Sequence, residues 1–278
     1  MKLLNKYNLP QSIINIIKKN IYKPTPDKMR VTELINAPLV KKLTMEHWDE
    51  IEIDVSDRLW ALLGTAVHYI LKGGAPEDSI EEEQLSASIG GITIVGTSDL
   101  YHNKGIEDWK ITSVYSFLLG MKPVWVAQLN IYKWLWKENG FPVERLNINA
   151  ILRDFMKSKT LSDQNYPKIP FQTAKIPIWK YDYTVKYILE RIRLHNQEDP
   201  PECTPEEKWQ RPTTYAVMKK GRKRAMRVLN SYEEAKDWIG DQDLYIEERK
   251  GSNIKCEQYC DVNKFCKYYQ RDLKKQLK

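Results

Sequence analysis

Asp108-Trp109-Lys110 lies in an apolar run that begins at Gly105, and Gly96-Thr97-Ser98-Asp99 closes another such run nine residues earlier. Strand geometry turns alternate side chains to opposite faces, so Asp108 and Lys110 share a face and Trp109 points away. A carboxylate able to hold a divalent cation then stands beside an ammonium able to steady a water or a phosphoryl oxygen. Asp99, on the neighbouring hairpin strand, brings a second carboxylate toward the same hard cation.

Working outward, Ser56 or Asp57 opens a helix over SDRLWALLGTAVHYILKGG that stops at Gly73-Gly74. Leu59, Leu63, Val67 and Ile70 keep helical spacing and predict a core-facing stripe. The same helix carries His68, whose neutral imidazole is a possible nitrogen ligand. Strands are predicted over Glu82–Ser88, Ile92–Val95 and Gly105–Ile111, joined by glycine-containing turns. A helix follows from Pro123 to Glu138, with Gly140 beyond its end, and Leu146–Leu152 alternates as a returning strand. This order predicts an α/β layer with one mixed sheet flanked by helices. Gln128 and Tyr132 stand four apart and share a helix face, from which they can hold the lysine and water or touch a phosphate.

Upstream, residues 1–50 read as a helical N-terminal segment, with Thr32 as the expected cap of a helix near Met29–Leu34. Downstream, a helix is expected from Tyr183 to His195, and Asp199-Pro200-Pro201 marks a boundary. The expected organisation is an N-terminal segment 1–50, a core 51–198 and a C-terminal extension 199–278. In the extension, Tyr215–Leu229 reads as a hairpin turning at Gly221, followed by a short helix over Tyr232–Ile239. The hairpin tip gathers Lys219, Lys220, Arg222, Lys223 and Arg224, a candidate phosphate-backbone contact without aromatic interleaving for base readout.

The chain has 278 residues, is 42% hydrophobic and 29% charged, and carries a formal net charge of +7. That composition supports a packed core, and its sign favours a polyanionic partner. No apolar run approaches the length of a membrane span, and the first twenty residues are broken by Asn, Pro and Lys. A cytoplasmic protein is expected, in which the four cysteines are thiols or metal ligands rather than disulfides. Nine tryptophans are mostly core residues, with one or two free to stack on unpaired bases.

The set GTAVH (64–68), GTSD (96–99), DWK (108–110) and QLNIY (128–132) resembles, in that order, the motifs of RecB-like nucleases of the PD-(D/E)XK superfamily, in particular phage exonuclease-like members. The resemblance spans residues 30–155. It implies a restriction-endonuclease-like core, Mg²⁺ or Mn²⁺ held by His68, Asp99, Asp108 and the Trp109 carbonyl, and Lys110 as catalytic lysine. An upstream glutamate of the family corresponds to Glu82 or Glu83.

What the resemblance implies for function is metal-dependent deoxyribonuclease activity on DNA ends or single strands, in phage or bacterial recombination, replication or processing. A nuclease trimming DNA for CRISPR adaptation, or an idle DNA-binding subunit, would share the same motifs. Homo-oligomers or recombination and replication proteins are the partners to expect, in a bacterial or phage-infected cytoplasm.

Cys256-x3-Cys260-x5-Cys266, with the distant Cys203, supplies four thiols, the count for a structural zinc or a [4Fe–4S] cluster. The triplet resembles that of iron–sulfur RecB-like nucleases. It departs from them in its first gap, three residues instead of two, and in having Cys203 after the nuclease motifs instead of before them.

Overall fold

The strand carrying Asp108 is the middle member of a five-stranded mixed sheet. The computed structural model describes residues 1–276, and the chain parts at Pro201 into two units, Met1–Pro201 and Glu202–Lys278. In chain order the first unit contains β1 (Lys2–Leu4), α1 (Gln11–Lys19), β2 (Lys28–Arg30), α2 (Val31–Ile35), α3 (Pro38–Glu46), β3 (Glu52–Asp54) and α4 (Leu59–Lys72). It continues with β4 (Ile80–Glu81), β5 (Gln84–Ile89), β6 (Ile92–Thr97), β7 (Leu100–His102) and β8 (Gly105–Thr112). It ends with α5 (Tyr115–Leu118), α6 (Pro123–Glu138), β9 (Arg145–Leu152), β10 (Phe171–Lys175) and α7 (Tyr181–His195).

The large sheet has the order β10-β9-β8-β7-β4, with β8 and β9 parallel and the other neighbours antiparallel. A parallel pair needs a long crossover, and α6 lies on the connection between β8 and β9. A smaller sheet, β2-β6-β5, pairs β6 parallel to β2 and antiparallel to β5. The fold is mixed α/β with sheets flanked by helices, as the order of elements predicted, but the strands divide between separate mixed sheets where one was expected.

Helix α6 is apolar nearly all round and correspondingly buried. Trp125, Trp134 and Trp136 on it are core residues, packed with Ile94, Ile106, Leu129, Ile148 and Ile188. Its approach to β6 is close. A Cβ on Gly96 would stand 2.7 Å from Tyr132 Cε1 and 2.8 Å from both Leu135 Cδ1 and Val31 Cγ2. The Trp136 indole donates to Ser98 Oγ at 2.8 Å and stacks on Tyr101, so α6 fixes the chain where β6 gives way to β7.

The β5–β6 turn uses Gly90-Gly91, both at positive φ. The β7–β8 turn reaches the same conformation with Asn103-Lys104, at φ 47° and 58° and without glycine, so the glycine signal of a hairpin turn is missing after Leu100–His102.

Two further expectations are corrected. Thr32 does not cap α2. The helix begins at Val31, and the Glu33 carboxylate accepts from the Arg30 N–H at 2.8 Å, satisfying the end from inside the first turn. Residues 1–50 contribute to the core of this unit through Met29, Val31 and Leu34, with β2 extending the smaller sheet.

The stripe on α4 is not core: none of its fourteen residues is buried, and Trp60, Tyr69 and Ile70 are 66%, 79% and 71% exposed. Periodicity reports that a face is apolar, not that another element covers it.

The second unit contains α8 (Pro205–Lys208), β11 (Gln210–Arg211), β12 (Thr214–Met218), β13 (Arg227–Leu229), α9 (Tyr232–Ile239) and β14 (Tyr245–Arg249). It closes with β15 (Ser252–Asn253), α10 (Ile254–Gln258) and α11 (Lys267–Gln276). The antiparallel sheet β13-β12-β14 packs against α9 around Ala216, Val217 and Ala235. Ser231 Oγ accepts from the Glu234 N–H at 3.1 Å and caps α9. Among the described residues no helix is long and apolar enough to cross a membrane.

Candidate active site

The chain breaks strand geometry at Ser98-Asp99, between β6 and β7. Because β7 pairs Leu100 with Glu107 on β8, the break sets Asp99 beside the Asp108–Trp109 segment. The Trp109 N–H donates to Asp99 Oδ2 at 2.6 Å, and Asp99 Oδ1 lies 3.1 Å from His68 Nδ1 on α4. That carboxylate raises the pKa of His68 by hydrogen bonding, against the opposing effect of burial.

On the face that Trp109 avoids, Asp108 is 2% exposed and its Oδ2 lies 2.6 Å from Lys110 Nζ. Lys110 also donates to Gln128 Oε1 at 3.3 Å, and Gln128 Nε2 donates to the Tyr132 hydroxyl at 3.1 Å. Residues from β8 and α6 thus form one polar chain, Asp108–Lys110–Gln128–Tyr132. Burial raises the Asp108 carboxyl to about 6, with Lys110 pulling the other way and Asp99 reinforcing the rise. Burial likewise holds the Tyr132 phenol well above its usual range and therefore neutral. Trp109 lies toward Phe171, with ring centroids 6.4 Å apart.

A cavity of about 200 Å³ opens beside Asp99, lined among others by His68, Lys72, Glu81, Glu82 and Trp109. Glu82 sits at φ 45°, a left-handed conformation costly for a non-glycine residue. Its N–H donates to the Asp99 carbonyl at 3.1 Å, and its carboxylate pairs with Lys72 at 3.2 Å. Of the two upstream glutamates considered, Glu82 lines the cavity and Glu83 does not, while Glu81, also on the wall, was not foreseen. The run Glu81-Glu82-Glu83 was the available signal, but the kink that turns two of the three toward the site has no signature in it.

The donors at Asp99, Asp108 and His68 suit a divalent cation in kind. Asp108 Oδ2 is buried and accepts no aligned hydrogen bond, its ion pair to Lys110 apart. Among the described residues no three His, Cys, Asp or Glu side chains are already gathered closely enough to hold an ion. Both Asp99 oxygens are engaged, by His68 and by the Trp109 N–H, and Asp108 is paired with Lys110.

In the second unit Cys203 precedes α8, Cys256 lies on α10, and Cys260 and Cys266 flank the turn before α11. Burial raises the Cys203 thiol to about 12, and Glu207 and the other three cysteines add to the rise. Burial raises Cys256 to about 11, again with Cys260 and Cys266 contributing. The intervening chain therefore returns Cys203 to the neighbourhood of the triplet, without a preformed ligand set. Lys219, Lys220, Arg222, Lys223 and Arg224 are all exposed on the β12–β13 connection, where the Arg222 N–H donates to the Lys219 carbonyl in a turn.

The chain is similar in structure to SSO0001, at 18% identity and a TM-score of 0.48 over 67% of this chain and 86% of that one. It is also similar to a phage-related exonuclease from Haemophilus somnus 129PT, at 15% identity and a TM-score of 0.28 over 66% of this chain and 77% of that one. No protein-family model and no curated protein matches it.

Proposed function

We propose that this chain is a metal-dependent deoxyribonuclease, hydrolysing phosphodiesters at DNA ends or in single-stranded DNA. The observation that carries the reading is the pairing of the buried Asp108 with Lys110, tied through Gln128 to Tyr132 and flanked by Asp99 and His68. A purely structural ion pair has no need of a second, partly buried carboxylate nearby, since each added charge costs desolvation.

In this reading Lys110 supports the negative charge that develops on the phosphoryl oxygens, in a site where burial strengthens the interaction. Gln128 and Tyr132 hold the lysine in place, and the Trp109 N–H with His68 orients Asp99. Mg²⁺ or Mn²⁺ held by Asp99, Asp108, His68 and the Trp109 carbonyl would supply Lewis-acid activation of the attacking water and the phosphoryl group.

For the second unit the proposal is a [4Fe–4S] cluster on Cys203, Cys256, Cys260 and Cys266, with zinc as the competing occupant. The exposed cations of the β12–β13 turn are proposed to contact phosphates, and their neutralisation should flatten the salt dependence of DNA binding.

End-labelled single-stranded and duplex DNA incubated with Mn²⁺ or Mg²⁺ tests the activity. Products that a chelator abolishes support it; intact DNA under every combination refutes it.

A further inference from the structure

Two cations beside the site have no partner of opposite charge among the described residues. Lys122 stands at the N-terminus of α6, and Arg153 follows the last residue of β9. Among the described residues neither forms an ion pair. Burial holds the Lys122 ammonium below its usual range, and the charges of Arg153 and Lys110 push in the same direction. Lys122 is therefore close enough to Arg153 and to Lys110 for each to repel it. The Arg153 N–H donates to the Thr112 carbonyl at 3.0 Å, two residues beyond Lys110 on β8. Lys110 pairs with Ala150 across the parallel β8–β9 pair, and Arg153 lies three residues further on, about 10 Å along the strand. Carboxyl ends of parallel strands are where ligands settle in open α/β sheets.

An aromatic ring belongs to the same group. The Arg153 guanidinium lies 4.4 Å from the centroid of the Trp60 ring, and Trp60 is 66% exposed. Trp60 is on α4, eight residues before His68, about 12 Å along the helix axis. An exposed indole costs hydrophobic free energy, and Lys122 and Arg153 held near each other without an ion-pair partner cost Coulomb energy. One ligand relieves both: a chain of phosphates bearing unpaired bases, whose phosphates meet the cations and whose bases offer faces to the indole.

We infer that Lys122, Arg153 and Trp60 form a track for an unpaired nucleic-acid strand that leads to Lys110. The track rests on the hydrolase reading for its purpose, but its binding is measurable apart from cleavage. Duplex bases are stacked on one another and cannot use Trp60, so the track selects single strands.

The test is fluorescence anisotropy of a labelled oligothymidylate and of a blunt duplex, both with chelator present so that no cutting occurs. Arg153→Gln and Lys122→Gln should each weaken oligothymidylate binding and reduce its logarithmic salt slope by about 0.7. Trp60→Ala should weaken the single strand by about fivefold or more and leave the duplex within twofold, while Trp60→Phe retains most of the affinity. An unchanged salt slope in both charge variants, or equal effects of Trp60→Ala on single strand and duplex, would overturn the track. So would light scattering in which Trp60→Ala converts a dimer to a monomer with single-strand affinity intact, because the apolar face of α4 would then serve a second copy of the chain. Trp60-dependent binding in a protein that cleaves nothing would support the track while removing the hydrolase reading; cleavage without Trp60-dependent binding would do the reverse.

Discussion

Asp108 Oδ2 lies 2.6 Å from Lys110 Nζ, on one face of one strand, with the carboxylate almost wholly removed from solvent. Two opposing effects act on that carboxylate. Burial favours its neutral form and the lysine favours its charged form, and burial wins, since its pKa lies above the ordinary value.

It follows that neutralising Asp108 relieves more desolvation than it forfeits in attraction. Lys110 keeps Gln128 as an acceptor and its side chain is 22% exposed, so it is not stranded by the change. Metal-free Asp108→Asn should unfold in denaturant at least as late as the parent. Adding Mn²⁺ should stabilise the parent and leave the variant unchanged. Equal metal stabilisation of both proteins would remove Asp108 from the ligand set.

Gly96 marks where α6 presses on β6. An added methyl meets two side chains on α6 and Val31, all within 2.8 Å. Gly96→Ala should cost about 1–3 kcal/mol of stability through overpacking, read from denaturant midpoints. It should also slow any cleavage, because Tyr132 anchors Gln128 and through it Lys110. A variant as stable as the parent would show that α6 can withdraw freely.

His195 provides a pH dependence remote from the site. Its ring lies at the end of α7 with Nε2 donating to the Leu34 carbonyl, and burial lowers its pKa to about 4, with Arg191 and Lys41 adding to the fall. A lowered pKa means that the unfolded chain binds the proton first, near pH 6.5. This contribution to stability is complete above that pH and is lost as pH falls toward 4. Between pH 7.5 and 5 the parent should lose about 2 kcal/mol more than His195→Gln. The raised carboxyl of Asp108 acts in the opposite sense, but in both proteins equally. Parallel stability curves for the two would contradict the assignment.

Much of this architecture was legible in the residues. Pro123 and Gly140 bracketed α6, and the alternation from Leu146 marked β9, because ends and periodicity are local properties. The pairing of Asp108 with Lys110 followed from strand alternation, and that of Gln128 with Tyr132 from helix spacing. Properties that depend on distant chain were not legible. The exposure of α4 depends on what fails to cover it, the turn of Glu81 and Glu82 on a backbone kink, and the meeting of Arg153 with Trp60 on where α4 lies relative to the end of β9. At α2 a glutamate inside the first turn, Glu33, satisfies the helix start in place of the expected Thr32 cap.

The cysteines are the second unit's clearest test. Protein purified without oxygen should be brown and hold about four irons per chain, and Cys203→Ser should lose iron as completely as Cys256→Ser. A colourless protein with one tightly held zinc would rule out the cluster. Iron retained by Cys203→Ser would separate Cys203 from the triplet.

The central claim is that Lys110 acts on the scissile phosphate. Single-turnover cleavage of end-labelled DNA with saturating Mn²⁺ measures this directly, with Lys110→Ala beside the parent. The account predicts a loss of about a hundredfold or more in the cleavage rate, with Mn²⁺ binding retained through Asp108. Equal rates for the two proteins would contradict it.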